Sequence, residues 1–160
     1  VVGEAQEITL QLGERDAAFE VGGVRVTTRL IEGDFPNYRG LIPSNHPNRL
    51  TVEREILLDA VRRVRLMAQE STPVRLAMSA DGLELVAVTQ DVGQAHELVE
   101  ATYVGDDLTV AFNPEYLIDG IEVAPGEEIT LETVDELKPA LLKAADDPAF
   151  LYLLMPVRVS

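Results

Sequence analysis

Apolar and polar residues alternate over 7–12, where Ile8, Leu10 and Leu12 share one side, and again over 24–31 through Val24, Val26, Thr28 and Leu30. A period of two is that of a half-buried strand. Gly13 and the pair Gly22, Gly23 punctuate this region. After Ile31 the chain turns to Glu32-Gly33-Asp34-Phe35-Pro36-Asn37-Tyr38-Arg39-Gly40 and then Pro43-Ser44-Asn45-His46-Pro47-Asn48, a run of turn formers that predicts a domain boundary near 43–48. Three short strands upstream are too few to close an ordinary core, so residues 1–42 read as the tail of something larger.

Downstream the pattern is more regular. Leu50-Thr51-Val52 is strand-like, and over 55–69 Leu57, Val61, Val64 and Ala68 recur on one helical stripe, with Arg62, Arg65 and Gln69 on the other side. Strands are predicted at 74–78 and 83–88, joined through Asp81-Gly82, a pair that accepts positive φ in a tight hairpin. The series continues at 96–104 and 108–112. Asn113 and Pro114 predict a capped helix start, and that helix ends near Ala124-Pro125-Gly126. Strands at 128–133, 139–145 and 150–157 close the chain.

Two helix approaches look alike. Leu50-Thr51-Val52 leads to Leu57-Leu58-Asp59-Ala60-Val61, and Leu108-Thr109-Val110 leads to Leu117-Ile118-Asp119-Gly120-Ile121. A strand, a helix and about three strands, used twice, predicts a two-layer α+β domain with pseudo-two-fold symmetry and both helices on the sheet.

Composition narrows the class. A length of 160 residues suits one domain, or one and a piece of another. Hydrophobic residues make up 46% but never form the roughly 18 consecutive apolar positions that a membrane helix needs. Cysteine is absent, which removes disulfides and thiolate chemistry and fits a reducing interior. The expectation is a soluble, cytoplasmic protein with no membrane partner. No signal peptide opens the chain and it starts at Val1 rather than Met, so a fragment is expected. A net charge of -15, with a pI near 4.4, argues against an ordinary nucleic-acid binder. The basic residues are nevertheless concentrated: over 49–66 five arginines (49, 54, 62, 63, 65) stand against Glu53, Glu55 and Asp59.

Catalytic chemistry has no visible carrier. His46 and His96 lie far apart with no partner at ligand spacing, so neither metal nor cofactor is expected. Asp106-Asp107, Glu127-Glu128 and Asp146-Asp147 fall between predicted strands, where acids favour turns. A phosphate loop, a serine elbow and a redox motif are all missing. Other features are unusual. Leu66 falls opposite the apolar stripe of the first helix, as a subunit contact would, and Arg62 and Arg65 point near it, as phosphate-facing residues would. Residues 150–160 are the most apolar stretch, and Pro156 cannot donate to a sheet ladder. The tail past Met155 is therefore expected at a sheet edge or off the sheet, exposing Leu154, Met155 and Val157, with Met155 an adaptable contact.

These residues carry a family resemblance. Gly33-Asp34-Phe35-Pro36-Asn37-Tyr38 followed by Pro43, then Phe112-Asn113-Pro114-Glu115-Tyr116-Leu117, then Tyr152-Leu153-Leu154-Met155-Pro156-Val157-Arg158 resemble the motifs of the bacterial DNA sliding clamp, in order and spacing. The resemblance covers essentially the whole chain. It implies that residues 1–46 are the end of the clamp's middle domain and 47–160 its complete third domain, so that the fold is a clamp-type α+β domain preceded by the partial end of a similar one. It implies a non-enzymatic processivity factor: a head-to-tail homodimeric ring, when full length, that encircles duplex DNA without sequence preference. Arg62 and Arg65 would face the DNA and Leu66 the ring-closing interface. Short peptide motifs of the replicative polymerase, the clamp loader and repair proteins would dock in a cleft lined by Pro36, Leu41, Asn113, Tyr116, Leu137, Pro139, Leu153, Leu154, Met155, Pro156, Val157 and Arg158. Gly40 stands where many relatives have Arg, and Ser71 where some have an aromatic, which alters the cleft's rim. The competing readings are a small α+β metabolic enzyme and an assembly module without DNA contact.

Overall fold

Upstream of Asn37, the alternation becomes a three-stranded antiparallel meander in the computed structural model, which describes residues 7–35, 37–43, 45–67, 72–89 and 93–159. Its strands are β1 (Thr9–Leu12), β2 (Asp16–Val21) and β3 (Val24–Arg29), in the order β1-β2-β3. Gly22 and Gly23 make the two-residue turn between Val21 and Val24, which pair directly. Only Ala17 and Ala18 of this meander are buried hydrophobics, whereas Ile8, Leu10, Leu12, Phe19, Val24 and Val26 are exposed. Asn37 ends this compact unit, and Tyr38 begins the second.

The second unit opens with a single 3-10 turn over Tyr38–Leu41 and then runs through the predicted repeat. The first half is β4 (Asn48–Glu53), α1 (Arg54–Arg65), β5 (Val74–Ser79), β6 (Gly82–Thr89) and β7 (Gly93–Val99), with a short β8 (Thr102–Val104). The second half is β9 (Leu108–Phe112), α2 (Pro114–Val123), β10 (Glu128–Thr133), β11 (Ala140–Ala144) and β12 (Leu151–Leu154). All strand pairings are antiparallel.

The two halves exchange their first strands. β4 pairs with β10 in the sheet β12-β11-β10-β4-β8, and β9 pairs with β5 in the sheet β7-β6-β5-β9. Register aligns the apolar rows, Leu50 with Leu131 and Val52 with Ile129 in one sheet, Leu76 with Val110 and Val74 with Phe112 in the other. All eight are buried, and Leu57, Val61 and Val64 of α1 join them with Leu117 and Ile121 of α2 in one core. Burial of each large apolar side chain contributes roughly 1.5–3 kcal/mol. Neither half completes its sheet alone, because each lends the other a strand.

The helices start differently. α2 is capped by Asn113, whose side-chain oxygen accepts from the Glu115 N–H at 2.8 Å, with Pro114 in the first turn. α1 follows β4 without a loop, and Glu53 makes no side-chain cap. Its first residue is tied instead to the segment before β10: the Arg54 N–H donates to the Glu127 carbonyl at 2.8 Å, and its Nε donates to the Gly126 carbonyl at 2.9 Å.

Two expectations need correction. The hairpin between β5 and β6 has Ala80 and Asp81 as its two-residue turn, and the positive φ of 121° falls on Gly82, which already pairs with Ser79. The strand expected over 96–104 is broken into β7 and β8, which belong to different sheets. Val99 pairs with Leu83, next to the start of β6 at Gly82, so beyond Val99 the chain runs out of partner. It crosses to the free edge of β4, where Tyr103 pairs with Leu50.

Candidate functional site

The last residues repeat this crossing. Leu154 pairs with Ala140, the first residue of β11, so the ladder ends there. Pro156 then supplies no N–H. The tail leaves its sheet and reaches the edge of the other, where the Val157 N–H donates to the carbonyl of Ala111 in β9 at 2.8 Å. Residues 155–159 thus stand to β9 as β8 stands to β4, attached by this bond where β8 has three paired residues. A segment held to an edge so lightly, with Met155 60% exposed and Val157 and Val159 exposed as well, offers apolar surface instead of filling the core.

Hollows flank the tail. One of about 580 Å³ is lined by Leu41, Pro43, Val134, Pro139 and Met155 among others. The other, of about 420 Å³, is lined by Ala111, Glu136, Leu137, Val157, Arg158 and Val159 with Thr109. The turn between β10 and β11 projects into both. There Asp135 accepts from the N–H groups of Leu137 at 3.0 Å and Lys138 at 2.9 Å, and pairs with the Lys138 ammonium at 3.1 Å. The backbone bond from Leu137 and the lysine beside it hold the Asp135 carboxyl below the ordinary carboxylate range. This small turn leaves Leu137 exposed. Larger hollows occur elsewhere, near 960 Å³ at Glu14–Gly33 and near 700 Å³ beside the β5–β6 turn. The first is lined by Glu14, Arg15, Asp16, Arg29 and Glu32 among others; the second has Asp81, Glu84, Glu100 and Asp107 in its lining together with Leu98.

Asn113, the cap of α2, and Tyr116 in its first turn line neither hollow. Ala111, which holds the tail, lies two residues before Asn113, and Tyr116 is exposed. Tyr152 of β12 lies against Gly120: a Cβ there would come within 2.6 Å of the ring. Burial pushes the Tyr152 hydroxyl above its ordinary value, with Asp119 and Tyr116 adding to it. The structure therefore gathers Leu41, Pro139 and Met155 at one hollow and Leu137, Val157 and Arg158 at the other. Leu153 and Pro156 are half-buried, Pro156 between the exposed Met155 and Val157. Leu154 is a correction: expected on the surface, it is 3% exposed and packs in the core, because its pairing with Ala140 keeps it inside the last rung of the sheet. Pro36 and Ser71 lie outside the described residues, as do Ala68 and Gln69.

Charged groups of β4, β10 and β11 gather beside His46. Glu132, nearly buried, accepts from Arg49 at 2.7 Å and Lys143 at 2.6 Å. Burial alone would raise its carboxyl, but the hydrogen bonds and charges of Lys143 and Arg49 outweigh that and hold it below the usual value. His46, expected at a turn or surface, has a side chain only 8% exposed, with Nδ1 3.7 Å from Glu132 and a buried Nε2 lacking a partner among the described residues. Burial lowers its pKa, opposed by Glu132. His96 is exposed and bonds Glu84 at 2.8 Å. Among the described residues no group of three potential ligands could hold a metal ion, and no helix is long and apolar enough to cross a membrane.

Away from the tail, Leu66 follows α1 and is 83% exposed, as its position opposite the stripe implied. Arg62 and Arg65 are on the surface, but neither is free: Arg62 bonds Glu122 of α2 at 2.5 Å and Arg65 bonds Glu115. Sequence reasoning missed these partners, and also missed Val134, Glu136 and Lys138 in the hollows. The Asp135 turn was the available signal for the latter, since Asp readily accepts from backbone N–H groups two and three residues on.

Residues 39–158 match the family described as DNA polymerase III beta subunit, C-terminal domain. The beta sliding clamp of Streptomyces coelicolor is 42% identical over 154 residues, covering 92% of this chain and 41% of that protein. That of Caulobacter vibrioides is 32% identical over 155 residues, covering 96% and 42%. The chain therefore spans about two fifths of the length of these relatives. Among solved structures, a sliding clamp from Bartonella birtlesii bound to griselimycin superposes with a TM-score of 0.86 at 33% identity, over 95% of this chain and 41% of that one. The Bacillus subtilis clamp gives 0.85 at 26% identity, over 99% and 43%.

Proposed function

Because the chain belongs to the family of the DNA polymerase III beta subunit, through its C-terminal domain, we propose that it is the final part of a sliding clamp that confers processivity on a replicative polymerase. The beta subunit is non-catalytic, which disposes of the metabolic-enzyme alternative. Residues 47–160 are the clamp's third domain and 1–46 the end of its middle domain. The exposed apolar side chains of the β1–β3 meander support that division, since a sheet with such a face calls for a covering layer.

The observation that carries the reading is the tail. Having left β12, it runs between two hollows with Met155, Val157 and Arg158 beside Leu41, Pro139 and Leu137. Short apolar motifs of the polymerase, the clamp loader and repair proteins dock there. Desolvation of the apolar lining supplies most of the affinity, about 25 cal/mol per Å² of apolar surface covered. Asn113, Tyr116 and Arg158 fix orientation through polar contacts. Griselimycin, to which the Bartonella birtlesii clamp is bound, is in this proposal a ligand of this chain's tail face.

In the complete protein, two copies close head to tail in the cytoplasm, with Leu66 at the closing contact and α1 toward encircled duplex DNA. Topological holding reconciles DNA contact with a charge of -15, because a ring does not depend on tight phosphate binding. Full-length protein loaded on a closed DNA circle is expected to stay on it and to run off when the circle is cut. Retention on the linear molecule would contradict encirclement.

A further inference from the structure

Every arginine of α1 is engaged by a carboxylate. Arg54 pairs with Glu55, Arg62 with Glu122 and with Asp59 at 3.7 Å, Arg63 with Glu97, and Arg65 with Glu115. Two of these acids come from the other helix. α2 carries Glu115, Asp119 and Glu122 and no basic residue, and its acids run in the opposite direction past Arg65 and Arg62. At Arg65 and Arg62, the helix face that the charge count of 49–66 marks as basic is thus locally neutralised by residues fifty and sixty positions later in the chain.

We infer that Glu115 and Glu122 are built-in competitors for duplex phosphate: they occupy Arg65 and Arg62 and hold this helix face at low affinity for DNA. The inference rests on the proposal that these arginines face DNA, and adds how that contact is regulated. Its physics is anion exchange. All four side chains are about half exposed, between 44% and 52%. Ion pairs in that setting are weak and open readily. A phosphate oxygen takes the place of the carboxylate at little net gain, and a passing duplex is held loosely enough to move. Glutamate at both positions, instead of a neutral residue, sets that balance.

Substitution with glutamine keeps size and helix preference while removing the charge. A unit charge about 4 Å away in water changes binding by about fivefold, so Glu115→Gln with Glu122→Gln is expected to tighten the chain's binding to a duplex of about 30 base pairs at low salt by about tenfold or more. It should also steepen the dependence on salt by about one released ion for each arginine set free. Fluorescence anisotropy on four proteins reads the result: the unaltered chain, the double glutamate variant, Arg62→Gln with Arg65→Gln, and all four changes together. The gain must vanish in the fourfold variant, because a general loss of negative charge would persist there. Circular dichroism checks that α1 and α2 remain folded in each. No gain in the glutamate variant while the arginine variant weakens binding overturns the inference and leaves the DNA-facing reading intact. A gain that survives in the fourfold variant also overturns it. No change in any variant overturns the DNA-facing reading itself.

Discussion

Gly120→Ala loads the contact between α2 and β12 directly. An added Cβ would stand 2.6, 2.7 and 3.1 Å from Cδ1, Cε1 and Cγ of Tyr152. Carbon atoms pack best at about 3.5–4.0 Å, so the ring must move by about 1 Å. β12 holds the base of that ring through the pairing of Tyr152 with Leu142, which leaves rotation of the side chain as the means of relief. Two effects oppose each other. Alanine in a helix interior is favoured over glycine by about 1 kcal/mol, whereas overpacking costs about 1–3 kcal/mol. The cost wins, by about 1 kcal/mol. With a urea dependence of about 2 kcal/mol/M the unfolding midpoint falls by about 0.5 M. The same change in a Tyr152→Ala background meets no ring and is expected to raise the midpoint instead, a coupling of about 2 kcal/mol in the double-mutant cycle. A midpoint that rises by the full helix preference in the unaltered background would refute the reasoning, since the ring would then not be seated on Gly120.

Two further perturbations follow from the same geometry. Asn113→Ala removes the acceptor for the Glu115 N–H and is expected to cost about 1 kcal/mol in urea unfolding, with Asn113→Ser restoring most of it. Acid weakens the His46 and Glu132 cluster in two stages. His46 is favoured neutral by burial, so its contribution is complete above about pH 6.5 and declines as pH falls below that. Glu132 has a depressed folded value, so its contribution is complete above the ordinary carboxylate range and is lost as pH falls through that lower value. The midpoint measured from pH 7 to pH 3 should fall throughout, and Glu132→Gln should flatten the acidic part of the curve.

Much of the fold was legible because its signals are local. Leu57, Val61 and Val64 share a helical stripe, Asn113 and Pro114 mark a helix start, and the alternation in β5 and β10 reads directly as strand. The doubled strand-helix unit was visible as two similar words, although the exchange of β4 and β9 between the halves was not. What escaped depends on distant residues. The break between β7 and β8 follows from where β6 begins, and the burial of Leu154 follows from where β11 begins; neither residue's own neighbours carry that information. Arg62 and Arg65 looked free because Glu122 and Glu115 lie sixty and fifty positions away. His46 looked like a turn histidine because the acid that accompanies it, Glu132, is on a strand far along the chain.

The tail's role is the central claim, and calorimetric titration of griselimycin tests it most directly. The intact chain is expected to bind, while a chain ending at Leu154, which keeps the whole of β12, and a Tyr116→Ala variant each lose at least about tenfold in affinity, about 1.4 kcal/mol. Circular dichroism of both should match the intact chain. Binding that is unchanged by removal of 155–160 in a folded protein, or no binding by the intact chain at all, would contradict the assignment of this face as the docking site.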